Sequence, residues 1–189
     1  MNIALLGGSF DPPHIGHYLV IRQLLDFRPD IDKILLVPAY QHQWKPSFAS
    51  VKDRLAMTEY LIQEKTKISD VELQRRGVSY AIDTVKNIKQ QTKATLYWIA
   101  GSDILFEFDR WEKTDELLDL ATFLIFPRDP YHLPKNLPKG FELIENKSLI
   151  TTNISSTKIR ERIQQGLSIK HLVPQQVQSY ITQHSLYKK

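Results

Sequence analysis

The sequence predicts an α/β fold with a doubly wound, Rossmann-like parallel sheet, and three observations support that prediction. Short apolar runs typical of buried strands alternate with stretches whose apolar residues recur at helical spacing. The strongest strand pattern is Leu96-Tyr97-Trp98-Ile99-Ala100, which ends at Gly101. The first strand, residues 3–6, leads through a glycine-rich turn directly into a helical pattern. Strands separated by helices favour parallel pairing, and a sheet of this kind binds ligands at the carboxyl ends of its strands.

The elements follow one another in a regular order. Strands are predicted where apolar or alternating residues cluster, at 3–6, 34–37, 68–73, 96–100, 123–126 and 149–152. Helices are predicted where apolar residues recur every three or four positions, at 18–27, 51–64, 80–90, 114–121, 155–165 and 174–184. Pro38 ends the second strand, and Gly166 closes the helix that begins at Ser155. The polar segment 41–50 and the proline-rich segment 127–140 are predicted to be loops.

Composition limits the class of protein. The 189 residues suit one domain spanning 1–189, with a small helical part from about residue 155. The absence of cysteine excludes disulfides, thiolate metal sites and cysteine nucleophiles. No apolar run approaches the length of a membrane span and no signal-peptide pattern is found, so we expect a cytoplasmic protein without a membrane partner. The net charge of +4 suits a small anionic ligand, and we expect no nucleic-acid partner. Whether the chain forms a homo-oligomer is left open.

The turn after the first strand has the composition of a phosphate site. It reads Gly7-Gly8-Ser9-Phe10-Asp11-Pro12-Pro13-His14-Ile15-Gly16-His17. Glycines let backbone N–H groups approach phosphate oxygens, and the following helix directs its free N–H groups and positive dipole end to the same place. His14 and His17 are three residues apart and share a face of the first helical turn. The pattern is neither a dinucleotide-binding GxGxxG nor a P-loop, and the alternative is a tight turn with surface histidines.

A second candidate phosphate site is Ile154-Ser155-Ser156-Thr157-Lys158-Ile159-Arg160. Its hydroxyl residues are good N-caps, so the segment begins a helix. Hydroxyls, free N–H groups, Lys158 and Arg160 would then lie at one helix mouth, which suits a polyphosphate. A capped helix with a solvated basic face is the alternative. Two such sites at helix N-termini together suit one extended triphosphate.

Three further segments bear on the chemistry. Gly101-Ser102-Asp103 follows the strongest strand, where a carboxylate is well placed to bind ribose hydroxyls, and Trp111 follows eight residues after Asp103. The stretch Arg75-Arg76-Gly77-Val78-Ser79-Tyr80-Ala81-Ile82-Asp83-Thr84 begins another helix. Lys45 is in the loop 41–50. Without other information, Asp103 and Tyr80 could serve as helix caps, and Trp111 could be a core residue. His42, His132, His171 and His184 fit no ligand spacing.

Nearly the whole chain resembles the HxGH nucleotidyltransferase superfamily. The segment GGSFDPPHIGH resembles the bacterial nicotinate mononucleotide adenylyltransferases in particular, and ISSTKIR is similar to the superfamily's ISSTxIR signature. Arg75 to Thr84 resembles that family's RxGxSYTxDT, with Val78 in place of the common proline and Ala81 in place of the usual threonine. Trp44 stands where the family has histidine before Lys45. These three departures lie in segments that face the acceptor substrate in the resembling family.

The resemblance implies transfer of an adenylyl group from Mg²⁺-bound ATP to nicotinate mononucleotide. It implies catalytic roles for His14, His17, Lys45 and Arg160. It implies that ATP is bound by Gly7, Gly8, Ser9, Phe10, His17, Gly101, Asp103, Ile154, Ser155, Ser156, Lys158 and Arg160. It implies that the acceptor is bound by Lys45, Tyr80, Ala81, Thr84, Asp103 and Trp111, with the tryptophan on the pyridine ring. No side chains are expected to form a metal site of their own, because Mg²⁺ bridges phosphate oxygens and keeps its waters.

Three alternatives remain open from the sequence. The acceptor could be nicotinamide mononucleotide, or the enzyme could have dual specificity. The chain could be another HxGH enzyme, such as a phosphopantetheine adenylyltransferase or a cytidylyltransferase, although the Tyr80 and Trp111 segments are absent from those patterns. In a different class, it could be a noncatalytic nucleotide-binding protein, against which the joint presence of His14, His17 and Arg160 argues.

Overall fold

A computed structural model describes residues 1–188, and over this range six parallel strands form one sheet with helices on both faces. The strand order is β3-β2-β1-β4-β5-β6. The strands are β1 (Asn2–Gly8), β2 (Lys33–Pro38), β3 (Thr66–Ile68), β4 (Thr95–Gly101), β5 (Ala121–Phe126) and β6 (Phe141–Leu143). The helices are α1 (Ile15–Phe27), α2 (Val51–Thr58), α3 (Val71–Arg75), α4 (Ala81–Gln91), α5 (Thr114–Leu120), α6 (Ser156–Gln164) and α7 (Gln175–Gln183). The predicted fold class is confirmed.

The order of the strands positions the site. The chain moves outward from β1 to β3 and then returns to place β4 on the other side of β1. The crevice of a doubly wound sheet opens where the strand order reverses, which here is between β1 and β4. Gly8 pairs with Pro38 at the carboxyl end of β1. Gly101 pairs with Phe126 at the carboxyl end of β4. Both glycine-containing motifs therefore lie at the same edge of the sheet.

Two apolar clusters cover the two faces of the sheet, and a third lies beside it. One cluster includes Leu5, Trp98 and Phe123 with α4, and the other includes Ala4, Leu36 and Leu124 with α1. The third joins Met57 of α2 to residues of α6, α7 and the segments around them, which are Ile159, Ile169, Val173, Val177 and Ile181. The C-terminal helices therefore pack against α2 rather than against a sheet face.

The strand predicted at 149–152 is wrong. The backbone of Ile150 is bonded to a side chain of α1 instead of a sheet neighbour. Its N–H donates to Oε1 of Gln23 at 2.5 Å, and its carbonyl accepts from Nε2 of the same residue at 3.0 Å. The sixth strand is instead Phe141–Leu143, which is only three residues long.

Two other predictions need correction. The strand predicted at 68–73 is instead Thr66–Ile68 and shares only Ile68 with the prediction, because β3 pairs with β2 only as far as Leu36. The chain then turns into α3, which buries Glu72. The helix predicted at 51–64 ends at Thr58 and continues as a 3₁₀ turn, Glu59–Leu61. The other predicted elements agree with the structure to within a few residues.

Candidate active site

The turn between β1 and α1 holds the two motif histidines against each other. His14 is the N-cap of α1, and the rings of His14 and His17 lie 3.8 Å apart between centroids. The backbone N–H of His14 donates to Nδ1 of His17 at 3.1 Å. This bond places the proton of a neutral His17 on Nε2, which leaves Nε2–H as a donor. A Cβ at Gly16 would lie 2.9 Å from Nδ1 of His14, so glycine makes room for the imidazole pair.

Both imidazoles are neutral at pH 7. Burial and the positive charge of Arg128 lower the pKa of His17 to about 3. Burial, His17 and Arg128 also lower the pKa of His14 well below its ordinary value. An arriving polyphosphate would oppose these effects, because a nearby anion favours the charged form of an imidazole. The pair is therefore suited to donate hydrogen bonds first and to accept positive character as negative charge accumulates.

A first cavity of about 210 Å³ opens beside the histidine pair. Its wall includes Gly7, His14, His17, Gly101 and Ile154, all of which belong to the predicted ATP or catalytic set. Arg128 and a run from Leu149 to Thr152 complete the wall. A concave space with largely apolar walls and a few polar groups is typical of a nucleoside site.

A second cavity of about 130 Å³ lies on the other side of Gly7. Its wall includes the predicted acceptor residues Tyr80, Ala81 and Trp111, together with Gly7 and Gly8. It also includes His42, Gln43, Trp44, Glu72, Ser79 and Glu112. Nε1 of Trp111 is buried and has no hydrogen-bond partner among residues 1–188. The two cavities share Gly7, so groups bound in them would meet at the end of β1.

Helix α6 packs against the β1–α1 turn and joins motifs that are far apart in sequence. The hydroxyl of Ser156 donates to the carbonyl of Pro12 at 2.8 Å. Nη1 of Arg160 donates to the carbonyl of Asp11 at 2.6 Å, and its guanidinium lies 4.2 Å from the centre of the Phe48 ring. Ser155 caps the helix by accepting the Lys158 N–H at 3.3 Å. The two predicted phosphate segments therefore form one surface.

Asp103 follows β4 and is paired with a cation. Its Oδ2 accepts a hydrogen bond from Nη1 of Arg128 at 2.9 Å, and both side chains are partly exposed. A Cβ on Gly101 would lie 2.5 Å from Oδ1 of Asp103, so this glycine allows the carboxylate to approach the strand end. The pair can offer carboxylate oxygens to hydroxyl groups and a guanidinium to phosphate.

Nine predicted site residues lie outside both cavity walls, namely Ser9, Phe10, Lys45, Thr84, Asp103, Ser155, Ser156, Lys158 and Arg160. Lys45 is exposed on the loop after β2. Thr84 is fully buried, and its hydroxyl donates to Oε1 of Glu72 at 2.5 Å. Phe10 is buried beneath His17, with 5.0 Å between the ring centroids. Lys158 is exposed at the mouth of α6. The carbonyl of Ser9 accepts a hydrogen bond from the guanidinium of Arg54.

Arg54 is a buried residue that sequence reasoning missed. It has no exposed surface, and its guanidinium donates to the carbonyls of Ser9 at 2.8 Å, Ala39 at 2.7 Å and Tyr40 at 2.9 Å. These bonds fix the turn after β1 against the segment after β2. An arginine in a short amphipathic helix looks like a surface residue, so the sequence carries no signal for this role.

Glu72 and Arg128 were also missed. Glu72 lies in α3 and lines the second cavity, and burial raises the pKa of its carboxyl. Arg128 lies just after β5, in a segment predicted only to be a loop. Its position at a strand end was the available signal, because ligands contact these ends in doubly wound sheets.

Residues 1–188 contain neither a candidate metal site nor a helix that could cross a membrane. No group of three or more histidine, aspartate or glutamate side chains is arranged to hold a metal ion. No helix in this range has both the length and the apolar character needed to cross a bilayer.

Known proteins resemble this chain over its whole length. A family model described as cytidylyltransferase-like matches residues 5–162. A protein from Halalkalibacterium halodurans, named probable nicotinate-nucleotide adenylyltransferase, is 38% identical over 99% of this chain and 91% of its own length. A protein of the same name from a Hydrogenobaculum species is 33% identical over 100% of both chains.

A solved structure supports the fold. The nicotinic acid mononucleotide adenylyltransferase of Plasmodium falciparum, complexed with NaAD, superposes with a TM-score of 0.85 over 98% of this chain and 97% of its own. Its sequence is 24% identical, so this likeness speaks for the fold alone. The matches to the two curated relatives cover 99% and 100% of this chain, at 38% and 33% identity. On that basis the chain belongs to the nicotinate-nucleotide adenylyltransferase family.

Proposed function

We propose that the protein transfers AMP from ATP to nicotinate mononucleotide, yielding nicotinate adenine dinucleotide and pyrophosphate for NAD biosynthesis. The observation that carries this proposal is that two cavities meet at Gly7 beside the paired imidazoles of His14 and His17. One cavity would hold the adenosine end of ATP, and the other would hold the acceptor. The α-phosphorus and the attacking phosphate would then meet at the end of β1.

The reaction needs positioning and charge stabilisation more than a base. The acceptor's 5′-phosphate is already an anionic nucleophile, and it attacks the α-phosphorus in line. The bond from that phosphorus to the bridging oxygen breaks, and pyrophosphate leaves. Nε2–H of His17 and the free N–H groups of α1 would stabilise the charge that develops on the α-phosphate oxygens. Arg160, Lys158 and Lys45 would neutralise the departing pyrophosphate.

ATP would enter as its Mg²⁺ complex. Mg²⁺ is held largely by phosphate oxygens and water, so it needs no cluster of acidic side chains. The groups around the histidine pair, which are N–H donors, Arg128 and Arg160, suit phosphate oxygens rather than a metal. We propose that Asp103 faces the ribose hydroxyls and that Ser155 and Ser156 lie near the outer phosphates.

The second cavity suits a flat aromatic acceptor. Trp111 and Tyr80 offer ring faces or edges, and the first N–H groups of α4 follow Tyr80. Backbone N–H groups can donate to both oxygens of a nicotinate carboxylate, whereas one side of a nicotinamide presents another donor. We therefore propose that nicotinate mononucleotide is preferred over nicotinamide mononucleotide.

The test is pyrophosphate release from a panel of substrate pairs. ATP with nicotinate mononucleotide should give the highest kcat/KM, ahead of ATP with nicotinamide mononucleotide or phosphopantetheine and of CTP with any of the acceptors. Ala81→Thr, which restores the hydroxyl usual in the family, should raise the preference for nicotinate by about 10-fold. Equal values for the two mononucleotides would refute the acceptor assignment. The absence of pyrophosphate release with every pair would refute catalysis.

We infer that residues 1–189 act as one nucleotidyltransferase domain, supported by the apolar cluster that joins α2 to α6 and α7. We propose that the protein acts in the cytoplasm, where its nucleotide substrates are found.

A further inference from the structure

Asp11 is a buried carboxylate in the middle of the phosphate-binding turn. Only 2% of its surface is exposed, and it accepts three hydrogen bonds. Two come from the backbone N–H groups of Phe48 at 2.6 Å and Ala49 at 3.1 Å, in the loop that follows β2. The third comes from the hydroxyl of Tyr187 at 2.8 Å, which is 176 residues away in sequence. One side chain therefore joins the phosphate-binding turn, the loop that carries Lys45, and the end of the described chain.

The same junction includes α6. The carbonyl of Asp11 accepts a hydrogen bond from Arg160, and the guanidinium of Arg160 rests on the Phe48 ring. The position of Phe48 depends in turn on its backbone bond to Asp11. A shift of the loop would therefore displace the surface beneath Arg160 as well as Lys45.

The segment after α7 is bent to bring Tyr187 to this place. Helix α7 ends at Gln183, and Ser185 and Tyr187 then have φ angles of 50° and 63°. This left-handed conformation is costly for residues other than glycine and persists only where surrounding contacts fix it. Leu186 and Tyr187 pack against the third apolar cluster. Burial and the neighbouring Asp11 charge raise the pKa of Tyr187, so its hydroxyl remains a donor throughout the physiological range.

We propose that Tyr187 is a positioning residue for phosphoryl transfer, acting through Asp11 to hold the loop 41–50 against the phosphate-binding turn. The proposal rests on the proposed function in that Lys45 and Arg160 are the groups that the loop positions. A buried carboxylate that loses one of three donors binds the remaining donors less stably unless water or a loop movement compensates. Small displacements of phosphate-binding groups lower the rate of transfer steeply.

The test compares Tyr187→Phe with Tyr180→Phe. Each variant removes one hydroxyl that donates to an aspartate, since Tyr180 donates at 2.9 Å to Asp53, in the first turn of α2. Tyr187→Phe should lose more thermal stability than Tyr180→Phe, because Asp11 is buried whereas Asp53 is only partly buried. Only Tyr187→Phe should lower kcat, by about fivefold or more, and raise the KM for ATP. Only Tyr187→Phe should also accelerate the amide exchange of Phe48 and Ala49. Exchange in the strands of the sheet should change little.

The two readouts separate this inference from the proposed function. Wild-type protein that releases no pyrophosphate would refute the function, but the amide-exchange comparison would still test the contact through Asp11. A kcat within twofold of wild type in Tyr187→Phe, with unchanged exchange at Phe48 and Ala49, would overturn the inference. If Tyr187→Phe unfolds at the assay temperature, the same variant purified and assayed at low temperature must give the same two changes. Wild-type kcat in that variant would likewise overturn the inference.

Discussion

At the scale of single residues, the site depends on which atoms remain free to donate. Nδ1 of His17 is occupied by the His14 backbone N–H, so Nε2–H is the atom that can bind phosphate. The guanidinium of Arg160 already contacts the carbonyl of Asp11 and the hydroxyl of Thr157. A polyphosphate would therefore add to, or replace, contacts that hold this side chain in place.

Replacing His17 separates its catalytic from its structural role. His17→Asn should lower kcat about 100-fold or more while the protein remains folded, because Oδ1 of asparagine can accept the His14 N–H but Nε2–H is lost. Steady-state kinetics and circular dichroism measure the two effects. The exposed His132 provides a control, and His132→Ala should keep the kcat and the circular dichroism spectrum of the wild type. A kcat within a few-fold of wild type in His17→Asn would remove His17 from the mechanism.

Replacing Arg160 should act mainly on ATP. Arg160→Ala is expected to raise the KM for ATP by about 10-fold or more and that for nicotinate mononucleotide much less, because the side chain lies at the mouth of α6. The matched control is Arg162→Ala on the same helix, whose guanidinium contacts the carbonyl of Ser168 instead. A larger change in the KM of the acceptor would contradict this assignment.

At the scale of elements, the close packing of β1 against β4 requires glycine at the strand end. A Cβ on Gly7 would lie 2.5 Å from Cζ2 of Trp98, while a Cβ on Gly8 would be 3.5 Å from the Phe10 ring. Both glycines are in extended strand, so the difference between them is one of space rather than of backbone conformation. Gly7 is also the residue that the two cavities share.

This difference predicts unequal stability for two adjacent substitutions. Gly7→Ala should lower the free energy of unfolding by about 1–3 kcal/mol, because the Trp98 ring or the strand must move. Gly8→Ala should have a clearly smaller effect, since its Cβ makes an ordinary contact. Denaturant unfolding of both variants measures this. Equal losses would indicate that Trp98 has room to move.

The predicted elements were most accurate where local pattern and tertiary contacts agree. The run at residues 96–100 becomes β4 because both of its neighbours, β1 and β5, continue alongside it. Residues 149–152 have a similar apolar character, but the side chain of Gln23 satisfies the backbone of Ile150. Periodicity reports burial, and it does not report which group will pair with the backbone.

At the scale of the whole molecule, the neutral histidines link stability to pH. An unfolded histidine takes up a proton near its ordinary pKa of 6.5, whereas the pKa of His17 in the fold is about 3. Between these values the unfolded chain binds more protons, so stability rises with pH across this window. The contribution is fully present above about pH 6.5 and is lost as the pH falls toward 3. The His17 ring partly faces the cavity. We therefore expect the free energy of unfolding to change less steeply with pH than it would for a fully buried ring.

Denaturant unfolding between pH 7.5 and pH 4 tests this linkage. The free energy of unfolding should fall with acidification in the wild type and should fall less in His17→Asn, which lacks one of the two groups. Bound ATP should also make the free energy of unfolding less dependent on pH, because phosphate favours the protonated imidazole. An identical slope in both proteins would show that other groups account for the acid sensitivity.

The sequence by itself determined the fold class, and it predicted a candidate site at the strand ends with the motif residues around it. Each of these depends on local information, such as apolar periodicity, glycine at a turn, or a hydroxyl before a helix. Only the tertiary structure decided which of those residues meet. It brought Arg160 to the carbonyl of Asp11, left Lys45 and Thr84 outside both cavity walls, and buried Arg54 among three carbonyls. The physical reason is that a buried polar group takes whichever partner the fold brings within hydrogen-bond distance, and no local pattern encodes that partner.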